Sequence, residues 1–406
     1  MSIQTINVYL CPNNTKQKVG TLAHQSPNIY FEYDQEFLQK NIELSPYKLP
    51  LKGGVHICED RVFDGLFGVF ADSLPDGWGK LLLDRHLASK GVLFRDITPL
   101  DRLGHIGAFG VGALCYEPVV EDFDFGYGDI SLDSLALSSA NILQGSSEEL
   151  LDTLLSLGGS SAGARPKAMM QINNTNRIVH SNQPLQDGYE HYMVKFANSL
   201  DGKDIGKIEY IYSLMAKESS INMPNTKLLQ TKQNSYFAIQ RFDRSGNERV
   251  HMHSVAGLTH TDFRMPSVDY DDLLAFTLHL TKDASQQSMM YRLAVFNLFA
   301  HNRDDHAKNF SFLLDANNNW ILSPAYDLTF SFGPNGEHST TYLGEGKNPT
   351  TEHLTKLAKK HGIKNSDEII VQVQNAVRRF KEYAKEFAVS KAAYESISKL
   401  LNSHPS

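Results

Sequence analysis

The decapeptide His301 to Phe310, HNRDDHAKNF, is the feature that most limits what this chain can become. It follows the apolar run Leu293 to Phe299, so a buried helix must end in a polar loop held at the edge of a core. Within it Asp304 precedes Asn309 in an Asp-x-x-x-x-Asn spacing, with Lys308 between. Phosphoryl transfer needs such a pair: a carboxylate to accept the substrate hydroxyl's proton, and an amide oxygen a few residues on to help hold Mg²⁺. Further along, Ser323-Pro324-Ala325-Tyr326-Asp327-Leu328 sets a carboxylate just after a Pro-marked turn, and Asp327 suits the other metal ligand. Taken singly, these residues also read as an ordinary polar loop and a turn-ordering aspartate. His301, Asp304, Asp305 and His306 offer ligands for a metal hydrolase, but their order fits no such signature.

A kinase also needs backbone N–H groups over the phosphates and a strand lysine on them. Gly158-Gly159-Ser160-Ser161-Ala162-Gly163-Ala164-Arg165-Pro166-Lys167 is a small-residue turn opening onto the apolar Ala168 to Ile172. Tyr192, Val194 and Phe196 then alternate with Met193 and Lys195, which predicts a strand with Lys195 on the opposite face, aimed into a cleft and contributing little packing. Ile208, Ile211, Tyr212 and Met215 predict a helix over 208–218. Its Glu209 either holds Lys195 or merely favours the helix start. Tyr236 to Phe242, YFAIQRF, reads as a strand whose exit suits an adenine contact. Two glycine-rich stretches are set aside: Gly104 to Gly112 reads as close hairpin packing, and Gly344-Glu345-Gly346-Lys347 is followed by Asn348 where a Walker loop needs Ser or Thr.

The 406 residues are long enough for two or three sub-domains with a cleft between them. Lys and Arg total 39 against 46 Asp and Glu, a net charge of −7, which disfavours autonomous nucleic-acid binding. Three scattered cysteines (Cys11, Cys58, Cys115) form no Cys-x-x-Cys pair, and no stretch is apolar enough to span a membrane, so a soluble cytoplasmic protein is expected. Strands are predicted around Ile6 to Leu10 and Ile29 to Tyr33, a Leu-Pro-Asp-Gly turn and helix within Phe63 to Arg85, and a linker over the Ser-rich run Ser131 to Ser147. A helix begins at Ser366, and its apolar face runs through Ile369, Val373, Val377 and on to Phe387 as core packing.

The order Gly-rich loop, strand lysine, helix glutamate, QRFDR, Asp-x-x-x-x-Asn and Tyr-Asp resembles the HipA family, the serine/threonine kinase toxins of bacterial toxin–antitoxin pairs. The stretches FEYDQEFL, LSPYKLPL and FADSLPDGWG extend the resemblance over nearly the whole chain. It implies an α+β, bilobed kinase-like fold: an N-terminal subdomain over 1–125, a kinase N-lobe over 150–245 and an all-helical C-lobe over 246–406. It implies ATP and Mg²⁺ as cofactors, with Asp304 as catalytic base and Asn309 and Asp327 as metal ligands. Nucleotide contacts would come from Ala162, Gly163, Ala164, Arg165, Lys167, Lys195, Gln240, Phe242 and His306, with Glu209, Lys308 and Tyr326 in support. The family has Glu where Gln240 stands in some members, and Pro166 supplies no N–H to a phosphate. Autophosphorylation would fall on Ser160, or on the adjacent Ser161, unless both are simply small turn residues. The implied partners are a helix-turn-helix, HipB-like antitoxin, through which any DNA contact would run, and a protein substrate such as an aminoacyl-tRNA synthetase. The alternative is a catalytically weak nucleotide-binding corepressor module.

Overall fold

The computed structural model describes residues 3–13, 15–120, 131–145, 151–158, 163–180, 184–198 and 201–402. Alternating Ile6, Val8 and Leu10 put one face of the first strand into a core, as the period of two requires. That strand, β1 (Thr5–Leu10), joins β2 (Gln17–Gln25), β3 (Asn28–Tyr33), β4 (Val55–Ile57) and β5 (Leu114–Glu117) in an antiparallel sheet of order β4-β3-β2-β1-β5. Gly104 to Gly112 is not a hairpin: Pro99–Ile106 is a helix closed by a capping box of Thr98 and Asp101, and the glycines after it lead the chain into β5.

A second antiparallel sheet, β7-β6-β8-β10-β9, is built from β6 (Lys167–Asn173), β7 (Ile178–His180), β8 (Tyr189–Lys195), β9 (Thr226–Gln230) and β10 (Ser235–Gln240). Ala168, Met170, Ile172, Tyr192 and Val194 share one core with Trp78, Leu82 and Leu87 of the helix Gly77–Ser89. Leu132, Leu135 and Ile142 belong to that core too, so the serine-rich run expected to be a linker is a helix, Leu132–Gln144, with small serines on its packed side. The helix Ile205–Glu218 connects β8 to β9, and it turns Ile211, Tyr212 and Met215 toward the C-terminal half of the chain.

That half is mainly, not wholly, helical. Beside the helices Tyr270–Thr281, Ala284–Phe299, Thr351–His361 and Ser366–Arg378 stands a three-stranded sheet of His251–Ser254, Ser311–Leu314 and Trp320–Leu322. The apolar face starting at Ser366 breaks after Arg378, and Phe380–Glu386 forms a separate short helix. Ala284–Phe299 is apolar on every side near its end and accordingly runs through the core, delivering the loop that follows to the core's edge.

The N-terminal module is joined to this half by close backbone contact and by buried charge. Gly68 lies against Gly257, where a Cβ on either residue would collide with the other segment. Nearby, Asp72 accepts hydrogen bonds from the Ser254 amide (2.7 Å), the Ser254 hydroxyl (2.6 Å) and His253 Nδ1 (2.6 Å). Burial works against its charge, yet His253, Lys308 and Ser254 together hold the carboxyl below the usual aspartate range. Replacing Asp72 by Ala strands three donors in the joint, so Asp72→Ala is expected to lower unfolding stability by about 3 kcal/mol, read from urea midpoints.

Candidate active site

The two adjacent aspartates of HNRDDHAKNF part company in the fold. Asp305 is 1% exposed and turns inward, accepting from Tyr270 Oη (2.8 Å), the Ser339 amide (2.9 Å) and the Thr340 amide (3.2 Å) and pairing with His338 Nδ1 (2.9 Å). With its oxygens committed, Asp305 anchors the loop and leaves the neighbouring Asp304 at the surface. Crowding by surrounding protein raises the Asp304 carboxyl above its ordinary value; His306 and Arg165 oppose that rise, while Asp327 and Asp305 add to it. Asn309 Nδ2 donates to the Asp304 carbonyl at 2.7 Å, closing the loop on itself and leaving the amide oxygen out of that bond. Tyr326 Oη reaches the Lys308 carbonyl and Ser311 Oγ, each at 2.5 Å, which ties the Tyr-Asp segment to the loop.

Asp327 adopts a left-handed φ of +57° and meets Lys195 Nζ. Lys195 is 7% exposed and also bonds Glu209 Oε1 at 2.9 Å, which settles the two readings of Glu209 in favour of the lysine. The same carboxylate oxygen receives Arg165 Nη1 at 3.0 Å, and Arg165 Nη2 reaches Asp201 at 3.1 Å. The β6–β8 register sets Lys167 directly opposite Lys195. Two buried cations side by side repel. Burial and Lys195 push the Lys167 ammonium down, whereas Asp327 and Glu209, against burial, hold the Lys195 ammonium up. Asp327 responds in kind: Lys195, Lys167 and Arg165 overcome its burial and keep it far below the ordinary value.

Other expected contacts are spread around this centre. Phe242 lies against the Tyr326 ring (5.4 Å between centroids), and the Gln240 side chain accepts from Asn225 at 2.8 Å. His306 packs on Phe263, and its Nδ1 is buried with no hydrogen-bond partner among the described residues. Ser160, Ser161 and Ala162 lie outside the described residues. The spacing of the motifs gave no hint of Asp76, whose carboxylate receives the Gly163 amide and Lys308 Nζ (2.8 Å). Its Leu-Pro-Asp-Gly context reads locally as a turn, and no local pattern reports a contact spanning more than two hundred residues.

The hydrolase reading fails on geometry. Asp305 is saturated, and His301 bonds the Ser331 carbonyl at 3.1 Å and stacks on Phe330. Among the described residues the one grouping with metal-ligand chemistry is elsewhere, Cys58, Asp60 and His260. There the Gly68 amide donates to His260 Nε2 at 2.9 Å, so the ring proton sits on Nδ1 and faces Asp60 at 2.6 Å. That is a satisfied pair. A cavity of about 350 Å³ lies beside Lys195 and Glu209, but neither Asp304 nor Asp327 lines it.

Residues 159–382 match the HipA-like C-terminal domain, and residues 13–117 match the HipA N-terminal domain. The chain belongs to the HipA family. The fold is also that of HipA from Shewanella oneidensis MR-1, solved in a toxin–antitoxin complex with HipB and its operator DNA: the TM-score is 0.70 at 17% identity, over 98% of this chain and 95% of that one. The expected α+β fold of the HipA family is thereby found. A Helicobacter pylori proinflammatory kinase, CtkA, shows a slighter likeness, with a TM-score of 0.38 at 13% identity over 56% of this chain and 86% of that one, too low to argue from. No helix among the described residues is long and apolar enough to cross a membrane.

The charge network revises one expectation about Lys195. Far from contributing little to the fold, its buried ammonium pairs with two carboxylates, buried Glu209 and partly exposed Asp327. Lys195→Ala is therefore expected to lower unfolding stability by about 2 kcal/mol at neutral pH. Because Asp327 is depressed in the folded state, its stabilising charge is fully present above the ordinary aspartate value of 3.8 and is lost as pH falls below it. The gap between wild type and variant should close on the same acid descent, measured by urea unfolding across pH.

Proposed function

We propose that this HipA-family chain is an ATP- and Mg²⁺-dependent protein serine/threonine kinase. The observation that carries the reading is the pair of buried lysines, Lys167 and Lys195, on adjacent strands and facing the acidic Asp327. A buried strand lysine held by a helix glutamate and set against an aspartate is the charge arrangement that phosphoryl transfer uses to hold nucleotide phosphates. The donor set fits the cofactors: Asn309 and Asp327 offer the oxygens a hard Mg²⁺ prefers, and His306 Nδ1, without a partner among the described residues, suits a polar ligand atom. When bound, Mg²⁺ would neutralise charge on the transferring phosphoryl group.

In this reading, the backbone amides from Ala162 to Arg165, with Lys167 and Lys195, hold the phosphates, and the Gln240 to Phe242 exit accommodates the adenosine. Glu209 holds Lys195 in place, while Tyr326 and Lys308 fix the loop. Asp304 accepts the proton of a Ser or Thr hydroxyl as that oxygen bonds to the γ-phosphorus and the bond to the ADP oxygen breaks. The substrate is a protein, an aminoacyl-tRNA synthetase being one candidate, and Ser160 or Ser161 is a site of self-modification. A HipB-like helix-turn-helix antitoxin is the proposed regulator, supported by the complex in which the Shewanella relative was solved. DNA contact would run through it, in keeping with this chain's net charge of −7. A cytoplasmic location is part of the same proposal.

The test is transfer of label from γ-labelled ATP to protein with Mg²⁺ present. Asp304→Asn should cut transfer by about a hundredfold or more while Mg·ATP binding, followed by calorimetry, stays within a few-fold. Asp327→Asn should lose both. Since the Asp304 carboxyl is raised and must be ionised to act, the acid limb of kcat/KM should lie above the ordinary 3.8, with activity falling as pH drops through it. Nucleotide binding without any transfer by the wild type would favour the corepressor reading, and active Asp304→Asn protein would reject Asp304 as the base.

A further inference from the structure

The helix Gly77–Ser89 begins with an aspartate that does not behave as a cap. Asp76 occupies the N-cap position, where Asp commonly bonds the first helical amides, yet its side chain makes no such bond. Instead one carboxylate oxygen receives the Gly163 amide and the other receives Lys308 Nζ at 2.8 Å. Two residues on, the Trp78 amide donates to the Gly163 carbonyl at 3.0 Å, so both polar groups of that glycine are held by the N-terminal module. Gly77 makes the approach possible: at φ +44°, a Cβ there would come within 2.7 Å of the Gly163 carbonyl oxygen and the Ala164 Cα. The contact is rigidly backed, because Trp78 and Leu82 lie in the core of the second sheet.

Gly163 ends the glycine-rich loop, and Lys308 sits between Asp304 and Asn309. The Asp76 and Lys308 side chains are only 14% and 12% exposed, and Lys308 Nζ also lies 4.6 Å over the Phe263 ring. Charge-assisted bonds shielded in this way are stronger than those made in water. Despite burial, Lys308 and the Gly163 amide keep the Asp76 carboxyl below its ordinary value.

Resting on the kinase reading, we propose that Asp76 is a positioning residue for phosphoryl transfer: it latches the end of the phosphate loop to the catalytic loop, so the N-terminal module completes the active site. Asp76 touches neither nucleotide nor substrate; it acts through Gly163 and Lys308.

The test uses the full chain. Asp76→Asn keeps an acceptor for the Gly163 amide but removes the charge facing Lys308, and Gly77→Ala pushes the same contact apart by steric clash. Both are expected to speed hydrogen exchange in peptides covering 163–168 without nucleotide, and to weaken Mg·ATP binding about tenfold. Asp76→Glu should restore part of the affinity. The double variant Asp76→Asn/Lys308→Met should bind no more weakly than Lys308→Met alone, because a latch already broken cannot be broken twice. Unchanged exchange in Asp76→Asn would overturn the latch, and fully additive losses in the double variant would overturn its action through Lys308. Faster exchange with wild-type affinity and kcat/KM would overturn the positioning role. A wild-type protein that binds no Mg·ATP would end the kinase reading and the positioning role with it, while the exchange measurement still decides the latch.

Discussion

The candidate site depends on the pairing of one buried lysine, Lys195, with carboxylates drawn from different parts of the chain. Antiparallel register brings Lys167 and Lys195 together on the second sheet, where burial makes each charge costly by several kcal/mol without a partner. Glu209 comes from the helix that follows β8, and Asp327 from beyond the catalytic loop. An electrostatic requirement of one sheet thus draws both halves of the protein onto the same point. Arg165 extends the network to Asp201 and shares Glu209 with Lys195.

Carboxylates serve as joints elsewhere in the same manner. Asp72 ties the N-terminal module to the strand His251–Ser254, and Asp243 receives the Gly112 amide while pairing with Arg241 and Arg244. Arg249 completes that seam by donating to the carbonyls of Gly112 and Leu114. Apolar burial is indifferent to direction, whereas a carboxylate bonded at both oxygens fixes orientation as well as distance. Such joints hold the first sheet and the helix Gly77–Ser89 in register with a cleft to which they contribute no motif of their own.

In the Asp304–Asp305 pair one residue supports the loop and the other is the proposed catalytic base. Asp305 is surrounded by Tyr270, His338 and two backbone amides, which exhausts its bonding capacity. Asp304 keeps its carboxyl outside that network, where surrounding protein and the like charges of Asp327 and Asp305 raise it above an ordinary aspartate.

Much of this was legible in the residues themselves. Alternation identified β1, β3 and β8, and helical spacing over 208–218 identified the helix Ile205–Glu218, because each signal lies within a few residues and follows from backbone period; the Asp304, Asn309 and Asp327 series pointed to the candidate site in the same local way. The errors share a cause as well. The serine-rich run reads as a linker since small polar residues resemble loop composition until Leu132, Leu135 and Ile142 find a core to enter. Gly104 to Gly112 looks like a hairpin until the Thr98 and Asp101 cap starts a helix ahead of it. Lys195 looks like a free cleft lysine until Glu209 and Asp327 close on it, and Asp76 looks like a turn residue until Gly163 and Lys308 arrive from distant parts of the chain. Sequence alone nominated the residues proposed for phosphoryl transfer, since side-chain type and short spacing are local properties of the chain. Tertiary structure decided which of two neighbouring aspartates is buried and which carboxylates hold Lys195, because those outcomes depend on long-range contacts that no local pattern encodes.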